Sequence, residues 1–207
     1  MTYRRPKLYP KQEQAIFSTS RFGVIEGSTK SGKTVACLSW IVEKALAGKD
    51  GNSFWWVAPV YGQARMAYRR AKRGLPQNFY SYNESELTIT LPNGAVIAFK
   101  SGEKADTLYG DDVYGAVIDE ASRVREESWH AVRSTLTATR GDVRIIGNVK
   151  GRRNWAYRLA RLAESGEPDW HYAKLTAYDA IAGGIVDADE VEQAKRQLPD
   201  HVFQELY

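Results

Sequence analysis

Short runs of apolar residues alternate along the chain with segments whose apolar positions recur every three or four residues, a pattern that predicts an α/β fold with a largely parallel sheet. The strands it predicts are Phe22–Glu26, Phe54–Ala58, Val113–Asp119, Val143–Gly147 and His171–Thr176. Four of these are continuous apolar runs, as strands covered on both faces are. Leu87–Leu91 and Ala95–Lys100 flank Pro92-Asn93-Gly94 and read as an inserted β-hairpin around 87–100, because Asn-Gly accepts the backbone angles of a tight turn. Helices are predicted over Lys11–Thr19, Lys33–Ala47, Gln63–Arg73, Glu126–Thr139, Asn154–Glu164 and Asp187–Gln197. In the second, Val35, Leu38, Ile41, Val42, Ala45 and Leu46 recur at helical spacing, and Gly48 follows as a stop.

Composition narrows the class. With 43% hydrophobic and 26% charged residues, the 207-residue chain has the makeup of an ordinary globular domain, which excludes disordered and collagen-like chains. Apolar stretches such as Phe54–Val60 fall far short of the ~20 residues needed to span a bilayer, so no membrane partner is expected. The opening residues MTYRRPKLYP carry no apolar core of a secretory signal. The single cysteine, Cys37, reads as core filler in the second helix, and a reducing compartment is expected. The net charge is +4, and fourteen of the 29 basic residues fall in three stretches. These are Arg4, Arg5, Lys7 and Lys11; Arg65, Arg69, Arg70, Lys72 and Arg73; and Lys150, Arg152, Arg153, Arg158 and Arg161. Such clusters suit a phosphate-rich partner, and a solvated helix face is the alternative for each.

Gly27-Ser28-Thr29-Lys30-Ser31-Gly32-Lys33-Thr34 matches the phosphate-loop pattern G-x-x-x-x-G-K-[ST] in full, between a predicted strand and a predicted helix. Glycine permits the backbone angles and close approaches that a Cβ would block. Successive amides then form an anion-binding nest at a helix N-terminus. Lys33 is expected on the β- and γ-phosphates, and Thr34 on Mg²⁺. The chain is therefore expected to bind a nucleoside triphosphate.

The strand that begins at Val113 ends in Asp119-Glu120. Asp119 would complete the metal shell, and Glu120 would accept a proton from attacking water. A kinase has no need of that second carboxylate, so the pair favours hydrolysis. Asn148, at the tip of the Val143–Gly147 strand, is placed to bond the γ-phosphate or the attacking water, with a turn-forming role as the alternative. Gln12, in Tyr9-Pro10-Lys11-Gln12, offers the donor and acceptor that an adenine edge needs, and a surface glutamine is the alternative.

Taken in order, these motifs resemble the ATPase domain of the large terminase subunit of tailed bacteriophages. The likeness includes Trp56-Val57-Ala58-Pro59, Gln63-Ala64-Arg65, Ile118-Asp119-Glu120-Ala121 and Ile146-Gly147-Asn148, and closes on Phe203-Gln204-Glu205-Leu206-Tyr207. The resemblance implies a RecA-like P-loop NTPase of the additional-strand (ASCE) class over residues 1–207, with helices on both faces of a mostly parallel twisted sheet. Within it, residues 1–20 would form an adenine-side segment and 178–207 a helical segment leading toward an RNase H-like nuclease domain beyond Tyr207. It further implies ATP and Mg²⁺ as ligands, double-stranded DNA as the translocated partner, and a portal or procapsid, a small terminase subunit and a homo-oligomeric ring as assembly partners, in the host cell cytoplasm.

Two departures from the family pattern bear on charge. Lys30 stands where many members carry an arginine in the phosphate loop, and Tyr109-Gly110 where many carry Arg-Gly. Lys30 is then the loop's candidate catalytic cation, and Arg65, Arg69, Arg70 and Arg73 become candidates for an arginine finger reaching a neighbouring subunit. The rival readings are a helicase-like DNA-remodelling ATPase, for which too little chain follows residue 150 to build a second lobe, and a nucleotide-gated DNA-binding or assembly module with little turnover.

Overall fold

A computed structural model describes residues 3–148, 151 and 153–207, Glu205 by its backbone alone. Lys150 and Arg152 of the third basic stretch lie outside the described residues. The elements, in chain order, are α1 Pro10–Ile16, β1 Phe22–Gly27, α2 Lys33–Leu46, β2 Ser53–Ala58, α3 Tyr61–Gly74, β3 Ser81–Asn83, β4 Thr88–Thr90, β5 Val96–Ser101, β6 Val113–Ile118, α4 Glu126–Thr135, β7 Asp142–Gly147, α5 Trp155–Glu164, β8 Trp170–Leu175, α6 Ala177–Ala182, α7 Ala188–Gln197 and α8 Asp200–Leu206. Short 3-10 turns at Ala105–Leu108 and Ala121–Arg123 flank β6.

Among the described residues eight strands form one sheet in the order β3-β4-β5-β2-β6-β7-β1-β8. From β5 to β8 every neighbouring pair is parallel, and at the other edge β4 alone runs the opposite way, antiparallel to both β3 and β5. β7 lies between the loop strand β1 and the carboxylate strand β6, the additional-strand arrangement expected above. Period-two alternation splits the core by face. Ile25, Trp56, Val117 and Ile146 pack with α1, α2 and α3 on one side. Val24, Trp55, Ile118 and Ile145 pack with α4 and α5 on the other. A third, small cluster of Ala177, Val191 and Phe203 joins α6, α7 and α8. No helix among the described residues is long and apolar enough to cross a membrane.

The departures from the sequence-based expectations have local causes. The hairpin exists, but β5 also pairs parallel with β2, and β3 extends it to a three-stranded edge. Asn93 does more than turn the chain: its amide donates to the Ala45, Leu46 and Gly48 carbonyls and so satisfies the C-terminus of α2. α1 stops at Ile16, three residues early, where the Arg144 guanidinium takes up the Ile16 and Ser18 carbonyls. α6 and α8 fall in the helical segment expected over 178–207, but each is too short to display a helical period of its own. α6 is started by a capping box between Thr176 and Asp179.

Candidate active site

The site lies at the C-terminal ends of β1, β6 and β7, the crevice where open parallel sheets place ligands. Between β1 and α2 the chain turns through Lys30 and Gly32, both in the left-handed region (φ 63° and 84°). Gly32 is required twice over, because a Cβ there would also stand 2.5 Å from Gln12 Nε2. Lys33, the first residue of α2, is buried and folds back so that Nζ donates to the Gly27 and Ser28 carbonyls, each at 2.8 Å. Burial lowers its pKa, and the Glu120 and Asp119 charges oppose that shift. Ser31 Oγ donates to the Ser28 carbonyl at 2.9 Å and completes the loop's internal bonding.

Two further segments brace the loop. The Tyr9 hydroxyl donates to the Ser31 carbonyl at 2.7 Å, and burial pushes its pKa up to about 12. Gln12 Nε2 donates to the Gly32 carbonyl at 2.8 Å while its oxygen accepts the Tyr9 amide at 3.2 Å. At 3% exposure, Gln12 is committed to the loop itself instead of lying open to an adenine edge, as expected from its residue type. From the opposite side, the Thr29 amide donates to the Leu206 carbonyl at 2.7 Å, fastening α8 to the loop.

β6 ends at Ile118, and Asp119 follows with its amide still bonded to the Val57 carbonyl at 2.8 Å. Glu120 then turns into the left-handed region (φ 47°, ψ 48°), uncommon for a residue with a Cβ. The turn brings the two adjacent carboxylates onto one cavity of about 640 Å³ that Thr34 also lines. Gly147, at the end of β7, makes room for it: a Cβ there would stand 3.2 Å from Glu120 Cα. Asp119 Oδ1 accepts the Glu120 amide at 3.0 Å. Burial, then the Glu120 charge, push the Asp119 pKa up to about 6 against the pull of Lys33, that amide and Arg70.

A second cavity of about 800 Å³ covers the loop itself and is lined by Lys30, Lys33, Thr34, Glu120 and Asn148, among others. Asn148 is tied to the carboxylate side, since Ser122 Oγ donates to its carbonyl at 2.9 Å. Ser122 in turn accepts from Asn154 Nδ2 at 2.8 Å. Arg123 and Ile185, not singled out by sequence, and Leu206 of the closing motif, given no site role there, border this same cavity. A cation three residues after Glu120 was the one available hint. Neither Ile185 nor the motif residue Leu206 pointed to this cavity, because their position depends on how α6 to α8 fold back.

The donors present suit a small hard cation. Thr34 offers a hydroxyl, and Asp119 a half-buried carboxylate whose one hydrogen bond among the described residues is to a backbone amide. No group of three or more His, Cys, Asp or Glu side chains is placed to hold a metal among the described residues. Magnesium keeps waters and substrate oxygens around one or two protein ligands.

The basic stretches divide by partner. Arg5 pairs with Glu13 and Glu43, Lys11 with Asp179, Arg158 with Glu126, and Arg161 with Glu26 and Glu164. On α3, Lys72 pairs with Glu84. Arg65, Arg69, Arg70 and Arg73 are exposed and have no side-chain hydrogen bond or ion pair among the described residues.

A loop of this kind on an additional-strand sheet, with two carboxylates at the tip of the next strand but one, defines a P-loop NTPase. The family model "Terminase large subunit, T4likevirus-type, N-terminal" matches residues 24–207, and the chain belongs to that family. No curated protein sequence matches the chain. Among solved structures, the large terminase ATPase domain of Thermus phage P74-26 superposes with a TM-score of 0.82 at 22% identity, covering 97% of this chain and 92% of that one. The large terminase of a thermophilic bacteriophage, in complex with ADP, gives 0.77 at 18% identity, over 95% of this chain and 52% of that one. The HK97 bacteriophage large terminase gives 0.78 at 15%, over 97% and 50%. The chain thus spans about half the length of the latter two, and at these identities the likeness establishes the RecA-like fold.

Proposed function

We propose that this domain binds Mg·ATP on the Gly27–Thr34 loop and hydrolyses it to drive double-stranded DNA into a procapsid. The observation that carries the proposal is the convergence of Thr34, Asp119 and Glu120 on one cavity beside the loop lysine. The same thermophilic bacteriophage's large terminase, solved with ADP and with ATP-γ-S, supports the choice of nucleotide.

When ATP enters, Lys33 exchanges the Gly27 and Ser28 carbonyls for β- and γ-phosphate oxygens. Lys30 adds a second positive charge from the loop. A magnesium ion held by the Thr34 hydroxyl and the Asp119 carboxylate would neutralise charge shared between those phosphates. Glu120 orients a water and accepts its proton as the water oxygen bonds to the γ-phosphorus. The bond to the β–γ bridging oxygen breaks, its electron pair stays on ADP, and Glu120 returns the proton to solvent. Asn148 lies at the phosphate end, and its backbone tie to Ser122 carries the loss of phosphate to α5 through Asn154. Gln12 acts on the nucleotide through Gly32, which it holds in place. In the whole motor we place this domain in a homo-oligomeric ring with a portal and a small terminase subunit, followed along the chain by a nuclease domain.

Nucleotide binding and steady-state phosphate release test the assignments together. Lys33→Ala should lose nucleotide binding. Glu120→Gln should keep it and lose turnover by about a hundredfold or more. The opposite pattern would exchange the two roles. Absence of magnesium-dependent release from the wild type, even at high concentration with DNA, would favour the nucleotide-gated binding module.

A further inference from the structure

α3 buries Ala64, Ala67, Tyr68 and Ala71 against the sheet and leaves its arginines on the outer side. By sequence, four of them are candidates to reach a neighbouring subunit. Their surroundings divide them. Arg69, Arg70 and Arg73 all border the cavity that holds Thr34, Asp119 and Glu120 of their own chain. Arg70 alone of the four also borders the cavity over the phosphate loop, which Lys33 and Asn148 line as well. Its guanidinium has no hydrogen bond or ion pair among the described residues. Two residues along, Lys72 is paired with Glu84. The helix therefore presents an unneutralised, exposed guanidinium to its own catalytic carboxylates.

We propose that Arg70 is a catalytic residue acting in cis, supplying from its own chain the guanidinium that stabilises the γ-phosphoryl group as it is transferred. The proposal rests on the ATPase reading above. The transition state spreads charge over the γ-phosphate oxygens. Lys33 and Lys30 meet that charge as point cations, whereas a planar guanidinium matches two oxygens at once. Arg70 exchanges no proton: water's proton goes to Glu120 and the electron pair of the broken bond to ADP, while Arg70 balances the charge that moves between them.

Mixing and dilution separate cis from trans. Arg70→Ala should lower kcat about a hundredfold, in the range known for loss of one electrostatic stabiliser. Its affinity for a fluorescent ADP analogue should change by less than about threefold, and Arg70→Lys should recover little, since it lacks the planar fork. The ratio of wild-type to Arg70→Ala turnover should stay constant per chain on dilution from assembled to monomeric protein. Mixing Arg70→Ala with Lys33→Ala chains should restore nothing. Rescue on mixing, or a ratio that falls to one on dilution, would overturn the proposal in favour of a finger reaching a neighbour. Wild-type turnover by Arg70→Ala would overturn it outright, as would parallel losses of ADP affinity and thermal stability, which mark a structural role. A wild type without magnesium-dependent phosphate release fails separately, by removing the ATPase reading on which Arg70 depends.

Discussion

Burial and the adjacent Glu120 charge hold the Asp119 carboxyl at about 6 in the ligand-free domain, whereas an unfolded aspartate titrates near ~3.9. Between those two values the folded chain carries a proton that the unfolded chain has lost, so stability falls as pH rises through the interval. Above it the ionised carboxylate costs a constant amount on the order of 2–3 kcal/mol, and below it the cost disappears. Asp119→Asn keeps an acceptor for the Glu120 amide and removes the charge. It should raise the thermal midpoint of the ligand-free domain by several degrees at pH 8, with a gain that shrinks toward nothing as pH approaches ~4. An equal gain at both pH values would show that the charge is not the cause. Asp119, Glu120 and the Gly27–Thr34 loop were legible in the sequence because their chemistry is local: the residues that act together are consecutive or share one turn. Gln12 was recognisable as an amide near the site, but not as one already engaged by Gly32, because that bond joins residues twenty apart. The position of Arg70 depends on packing in the same way, through how α3 lies on the sheet.

Among the elements, the parallel strands and long helices were legible from periodicity, and the connections that set their angles were not. β7 is the clearest case. Its apolar run is interrupted by Arg144, which lies within the strand at 1% exposure. Nε donates to the Ile16 carbonyl at 2.7 Å, Nη2 to Ser18 at 2.7 Å, and Nη1 to Ser20 at 3.1 Å and Val143 at 2.9 Å. Gly23 on β1 leaves the space, since a Cβ there would come within 2.8 Å of Arg144 Cδ. The guanidinium thus closes the end of α1 and fixes the 16–21 segment to the sheet, which in turn holds Tyr9 and Gln12 on the phosphate loop. No pattern of apolar positions reveals such an anchor, because its partners are main-chain carbonyls. Arg144→Met fills much the same volume but leaves those carbonyls without a donor. It should cost about 3 kcal/mol or more, lowering the midpoint by roughly 6–12 °C for a domain of this size. Arg144→Lys should regain only a small part, having one nitrogen in place of three. A loss below ~1 kcal/mol in thermal or urea unfolding would show that the carbonyls find other donors.

Across the whole molecule, the three hydrophobic clusters differ in how they are held. The two that flank the sheet share its strands, so neither can open without breaking the parallel ladder. The cluster of Ala177, Val191 and Phe203 includes no strand residue, and its buried core is small. Among the described residues it is fastened to the rest at a few places: the Thr29 amide to the Leu206 carbonyl, Lys11 to Asp179, and Gly183 against the Tyr9 ring. A unit with few apolar contacts and few ties opens at a lower free energy than the body it rests on. Amides of α7 and α8 should therefore exchange with solvent through a local opening, while those of β1, β6 and β7 exchange only on global unfolding. Phe203→Ala, which removes the largest side chain of the small cluster, should weaken protection in α6 to α8 by up to ~3 kcal/mol and leave the three central strands nearly unchanged. ADP should act in the opposite direction, because Ile185 and Leu206 border the cavity over the loop and a bound nucleotide would touch both the loop and this unit. Binding that favours the closed form raises its protection by RT ln(1 + [L]/Kd), about 2.7 kcal/mol at a hundredfold excess over Kd. Hydrogen exchange read by mass spectrometry, with and without ADP, measures both effects on the same peptides. Equal loss of protection in β6 and α8 on Phe203→Ala would show one cooperative body, with nucleotide occupancy felt by the sheet and the C-terminal helices alike.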